Sequence, residues 1–181
     1  MKKTILVFGL ISGAVSALMM IVTMLAADRI GMERGAVVGY TTIVLSFLLV
    51  FFGIRSYRDN IGHGQITFAK GFAIGIGITL ISCVCYVVTW EILYYNFMHD
   101  FWDKYGAHMV ENLKAHGASQ AAVQAQIEQV NKYKELYKNP FFNAAMTFIE
   151  PFPVGLVITL ISAAVLKKKP QPPDQSRLPA S

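Results

Sequence analysis

Charge is what this chain most lacks. Thr4–Ala27, Gly35–Ile54 and Gly71–Trp90 hold no Asp, Glu, Lys or Arg, and Asn139–Leu166 holds only Glu150. Each stretch reaches the roughly 20 apolar residues that a helix needs to cross a hydrocarbon core of about 30 Å. A water-soluble fold is excluded on that ground. The expectation is an all-α integral membrane protein, a four-helix bundle with spans at about 4–27, 35–54, 71–93 and 144–166. Only 15% of the 181 residues are charged, against about a quarter in ordinary globular domains. The deficit is local, because the charges crowd between the apolar stretches. A single membrane domain, 1–166, is therefore expected.

Cysteine is nearly absent too. Cys83 and Cys85 stand two apart on a predicted helix and so point to nearly opposite faces. They neither pair with each other nor suffice for a metal site. His63, His99, His108 and His116 fall in no metal-binding spacing. No phosphate-cradling glycine loop, dinucleotide fingerprint or nucleophile elbow occurs. The span hydroxyls, such as Ser12, Ser46, Thr79 and Thr89, have no central His or Asp to activate them. The expectation is a protein that is not an enzyme, with no catalytic residue, metal or cofactor. The net charge of +5 fits a membrane surface better than a nucleic-acid partner, because the cations collect at helix ends.

What is present sets the threading. Lys2, Lys3, Arg55, Arg58, Lys70, Lys167, Lys168, Lys169 and Arg177 face only Asp59 and Asp174 on one side. The other side, residues 28–34 and 91–140, carries seven cations and eight acids. Cytoplasmic loops are richer in Lys and Arg, so the N-terminus and C-terminus are both expected in the cytoplasm. A cleaved signal peptide is disfavoured because the first apolar run outlasts the usual 7–15 residues or so. Tyr86, Trp90, Tyr94, Tyr95, Phe97, Phe101 and Trp102 gather at the outer end of span three, where amphipathic rings prefer to sit.

The one sizeable water-soluble part, about 99–139, reads as a helical hairpin between spans three and four. Its first arm is expected to prolong span three to about Ala115. Gly117 breaks it, Ser119 caps the second arm and Asn139-Pro140 ends that arm. Val123, Ile127, Val130 and Tyr137 recur at helical spacing. That apolar stripe must face something: either the arm Trp102–Leu113 or a partner protein. The Pro-rich basic tail, 167–181, cannot bury a core and is expected to be disordered.

Small residues mark the helix contacts. Gly9 and Gly13, Gly35 and Gly39, and Gly71 and Gly75 are each four apart, a spacing that lets backbones approach. They serve packing within the bundle or a homodimer face. Gly75–Ser82 and Gly155–Ser162 match at six of eight positions, from chance in a small apolar alphabet or from an inverted repeat. Glu150-Pro151-Phe152-Pro153 is the one place where a charge and helix breakers enter a span. Both prolines delete a backbone hydrogen bond, so a kink is expected. Counting back from Lys167 puts Glu150 about 25 Å along the helix, near the outer rim. Glu91 reaches a similar height, and Asp28 and Arg29 end span one nearby. Glu150, Glu91, Pro151 and Pro153 form the candidate polar or ion site.

Arg55-Ser-Tyr57-Arg58-Asp-Asn60, followed by Gly62-x-Gly64-x-Ile66-Thr67-Phe68-x-Lys70-x-Phe72, resembles the bacterial domain-of-unknown-function family 4199. The long segment before span four and the Glu-Pro opening of that span are shared as well. The resemblance implies a small four-span protein of a bacterial inner membrane. It brings no activity and no functional residues. The functional expectation is a non-enzymatic membrane or scaffold protein whose periplasmic hairpin contacts a partner. The rival is a small transporter or ion-coupled protein using Glu150 and Glu91.

Overall fold

The computed structural model describes residues 1–168, and within them the side chains at positions 27–30, 32, 33 and 36 are outside the description. The expected disordered tail lies outside the described residues from position 169 onward, and the side chains of Asp28 and Arg29 lie outside them too. The described residues form seven helices: α1 (Lys2–Ile30), α2 (Met32–Asn60), α3 (Phe68–Phe97), α4 (Phe101–Ala115), α5 (Gln120–Leu136), α6 (Pro140–Ile149) and α7 (Phe152–Leu166). Four segments are long and apolar enough to cross a membrane: Lys2–Ala26, Val37–Asn60, Phe68–Phe97 and Pro140–Leu166. The last is the tandem of α6 and α7.

Burial runs opposite to that of a water-soluble protein. Ser12, Ser46, Thr79, Ser82, Thr159 and Ser162 are buried, while Leu10, Leu18, Leu45, Ile161 and Val165 are exposed. Apolar surface on this scale is not tolerated in water. It is the arrangement that lipid demands, with small polar side chains inside and aliphatic side chains outside. The protein is a multi-pass membrane protein.

The chain divides into two compact units, Met1–Ser82 with the chain from Phe152, and Cys83–Pro151. In the first, the helices meet at glycines. A Cβ at Gly9 would sit 2.8 Å from Ile81, and one at Gly77 would sit 2.9 Å from Ile5. The contact of α3 with α7 is reciprocal. A Cβ at Gly75 would lie 2.7 Å from Thr159 Cγ2, and one at Gly155 would collide with Thr79 Cγ2 and come within 2.9 Å of Phe47. The Thr79 hydroxyl donates to the Gly155 carbonyl at 3.4 Å and lies 3.2 Å from the Thr159 hydroxyl. The similarity of Gly75–Ser82 to Gly155–Ser162 thus has a packing reason. Two antiparallel helices crossing at glycine need the same threonine one turn later on each. Ser12 adds a bond from α1, donating to the Ser46 carbonyl at 2.9 Å and lying 3.0 Å from the Ser82 hydroxyl.

The six glycines singled out for packing divide. Gly9, Gly13, Gly71 and Gly75 are buried. Gly35 and Gly39 are only half-buried, and a Cβ at Gly39 would meet nothing within 4 Å.

Local signals place most helix ends. Thr67 Oγ1 accepts from Lys70 N, and Ser119 Oγ accepts from Ala122 N. Gly117 takes φ +73° after α4, a left-handed value that costs glycine little. Two expectations are corrected. The first hairpin arm does not prolong span three, because α3 stops at Phe97 and α4 starts anew at Phe101. Between them Phe101 N turns back to the Met98 carbonyl, and the Asp100 carboxylate holds Lys104 at 2.9 Å. Asn139-Pro140 begins a helix rather than merely ending one. Asn139 Oδ1 accepts from Phe141 N at 2.9 Å, with Pro140 in the first turn, where its missing N–H costs nothing.

The fourth span is interrupted as its sequence suggested, with α6 ending at Ile149 and α7 beginning at Phe152. Pro153 falls in the first turn of α7, so Pro151 alone forces the break. Glu150 itself keeps right-handed helical angles, φ −66° and ψ −59°.

Gly155→Ala should destabilise the protein by about 1–3 kcal/mol through overpacking, measured by reversible unfolding in detergent micelles. Gly39→Ala should leave stability within about 0.5 kcal/mol. Equal behaviour of the two variants would show that the close approach of α3 and α7 contributes nothing.

Candidate functional site

The second unit holds the residues with the most unusual chemistry. On α3, Tyr86, Trp90 and Tyr94 follow at four-residue intervals, so they line one face. On α6 and its C-cap, Asn143, Thr147 and Glu150, four and three residues apart, also share one face. The two faces join tip to tip. Tyr86 OH donates to Glu150 Oε2 at 3.2 Å, and Trp90 Nε1 donates to Asn143 Oδ1 at 2.8 Å. Thr147 Oγ1 shares that acceptor at 3.3 Å. Asn143 is fully buried, and its Nδ2 has no hydrogen-bond partner.

Of the four residues placed in the candidate ion site, the structure ties Glu150 to Tyr86 and leaves the Glu150 side chain exposed. Glu91 is half-buried, and its Oε1 is buried without a hydrogen-bond partner. Pro151 is buried and Pro153 exposed. Sequence reasoning overlooked Asn143, which organises this seam. An Asn one turn into a span, four residues before a Thr, was the available signal.

The hairpin is held by rings. Trp102 stacks on Tyr133 at 5.8 Å and 6°, and meets Tyr137 edge-on at 4.8 Å. Tyr137 continues to Phe142 and Tyr94. Trp90, Phe101 and Tyr105 complete the cluster. Each pair adds about 0.5–1.5 kcal/mol beyond area burial. Gly106 lets the arms touch, because a Cβ there would stand 2.7 Å from Val130. Lys134 and Asp103 form an ion pair across the arms.

The apolar stripe is thereby divided. Val130 is buried, Val123 and Tyr137 are half-buried, and Ile127 is 37% exposed. Part of the stripe faces the first arm, and Ile127 does not. Trp102, Tyr105, Tyr133, Tyr137 and Met146 line a shallow cleft of about 310 Å³. Burial, then the nearby Glu150 carboxylate, push the Tyr137 phenol above its ordinary value. Among the described residues no group of three or more His, Cys, Asp or Glu side chains converges as a metal site would require.

A helical membrane protein with a polar seam and an aromatic hairpin is the class these observations define. The chain belongs to the DUF4199 family, proteins of unknown function, whose model matches residues 7–168. No curated protein and no solved structure matches it.

Asn143→Ala removes the acceptor of Trp90 and Thr147 together. It should cost about 1–3 kcal/mol, the penalty for a stranded buried donor, and shift tryptophan emission. An unchanged spectrum and stability would show that the seam is incidental. The raised Tyr137 phenol implies stability that is full below about pH 10 and falls as pH rises through the folded value. Tyr137→Phe should blunt that alkaline loss in a melting series. An identical alkaline profile would refute the assignment.

Proposed function

We propose that this is a non-enzymatic membrane protein that presents its hairpin to a partner protein on the periplasmic face of a bacterial inner membrane. Both termini are then cytoplasmic. The nine cations against two acids around the termini and the loop between spans two and three support that orientation. One observation carries the functional reading. The α3–α7 contact in the first unit is closed by glycine against threonine, at Gly75 with Thr159 and at Gly155 with Thr79, which favours packing over a transport route between those two helices. The hairpin meanwhile leaves Ile127 and Leu136 each 37% exposed on α5.

A second reading, a small ion- or proton-coupled transporter, draws on Glu91. A buried carboxylate oxygen without a partner in a span is a functional suspect, and Glu91 Oε1 is one.

A photo-reactive residue at position 127, in cells, separates the readings. Discrete protein adducts from 127, and none from the exposed span position Val38, are expected. Adducts to lipid alone would overturn the proposal, and self-adducts would identify a homodimer face instead. Reporter fusions should be active in the cytoplasm at both termini, and a periplasmic C-terminal reporter would reverse the orientation.

A further inference from the structure

The loop joining α2 to α3 is more rigid than a connection needs to be. Ile61 N and Gly62 N both donate to the Tyr57 carbonyl, Gly64 N to Arg58, and Gln65 N to Gly62, all at 2.9 Å. Gly64 takes φ +80° and His63 takes φ +49°. A Cβ at Gly62 would collide with the Gln65 carbonyl. The loop then captures the end of the chain beyond α7. Ile66 N donates to the Lys168 carbonyl at 3.1 Å, and Lys168 N donates to the Ile66 carbonyl at 2.9 Å, an antiparallel bridge. Ile66 is 3% exposed, so the bridge is anchored in the core.

This bridge gathers cations. Arg55, Arg58, Lys70, Lys167 and Lys168 stand in the chain segments that the bridge joins, and Asp59 is the one acid among the described residues of the loop and the Lys167–Lys168 segment. Asp59 is already engaged by Arg58 at 2.7 Å and Arg55 at 3.5 Å. Lys70 Nζ stands 5.8 Å over the Tyr57 ring, and Lys70, Lys167 and Lys168 are exposed. A topology anchor needs only charge on a loose tail. Here two backbone bonds fix Lys168 against a rigid loop. A Cβ at Gly71 would lie 3.4 Å from Ala163 and 3.5 Å from Ile54, so the ends of α2, α3 and α7 reach one level.

We propose that this pinned loop and the Lys167–Lys168 segment bind a phosphate group, carried by an anionic phospholipid at the membrane surface. Span two ends at Asn60, span three opens at Phe68 and span four ends at Leu166, which sets the cations at headgroup depth. Basic clusters between helix ends are suited to anionic headgroups, and a lipid phosphate would complete the charge balance that Asp59 alone leaves open.

Native mass spectrometry of the full chain, with phosphatidylglycerol or phosphatidylcholine supplied in the micelle, tests this. The protein should retain phosphatidylglycerol at least tenfold better than phosphatidylcholine. Lys167→Gln with Lys168→Gln should abolish that preference, and the paired Arg substitutions should restore it. Lys2→Gln with Lys3→Gln makes the same charge change at the other chain end and should keep the preference. Equal loss in both Gln pairs, at matched helical circular dichroism, would overturn a built site in favour of net charge. Displacement of the lipid by millimolar inorganic phosphate would overturn the lipid source and assign the site to free phosphate. Failure to displace it supports the headgroup.

Discussion

Helices inside lipid gain nothing by hiding oil from water, so contact between them depends on how closely their backbones can come. In this protein that constraint is met where Gly75 faces Thr159 and Gly155 faces Thr79. Removing two side chains lets α3 and α7 close until threonine methyl groups touch the opposite backbone. The hydroxyls on the same threonines then find each other and a carbonyl. Dispersion and hydrogen bonding are thus satisfied by one residue pair used twice. The Ser12, Ser46 and Ser82 contact extends the same solution to α1 and α2. The aliphatic residues are left to meet lipid.

The hairpin unit obeys a different solvent. Its arms α4 and α5 are not among the candidate membrane spans, and rings and an ion pair hold them together. Trp102, Tyr133 and Tyr137 do there what Gly75 and Thr159 do in the bundle, and Gly106 against Val130 is the one close approach of the bundle type. Between α3 and α6 the two chemistries meet in the Tyr86–Glu150 and Trp90–Asn143 bonds. The seam gives Glu150 a structural partner at an interrupted span, and leaves Glu91 as the acid whose burial lacks a matching donor. Glu91 and Asn143, both in the hairpin's unit, each keep a buried polar atom without a hydrogen-bond partner.

At the opposite chain end the bridge between Ile66 and Lys168 changes how the basic segment reads. As sequence it is a run of lysines followed by prolines, the composition of a loose anchor. Folded, Lys168 is held by two backbone bonds against a loop with hydrogen bonds of its own. Fixed charge is recognition chemistry in a way that mobile charge is not, because ordering cost has already been met by the fold.

The sequence by itself determined the membrane class, the four spans, the cap at Ser119, the break at Gly117 and the interruption near Pro151. Each follows from hydropathy or from a backbone rule that acts within one turn of helix. Helix ends near Asp100 and Asn139 were less legible, since capping residues compete with an apolar pattern that runs straight through them. Tertiary structure alone decided which glycines matter: Gly75 is closed against a neighbour and Gly39 meets nothing, though both sit in the same motif. It also decided that two similar octapeptides face each other, that Asn143 serves two donors, and that Lys168 is pinned. Those outcomes depend on which helices are neighbours and in what register. That is settled by contacts between residues as far apart in the chain as Ile66 and Lys168, which no local pattern encodes.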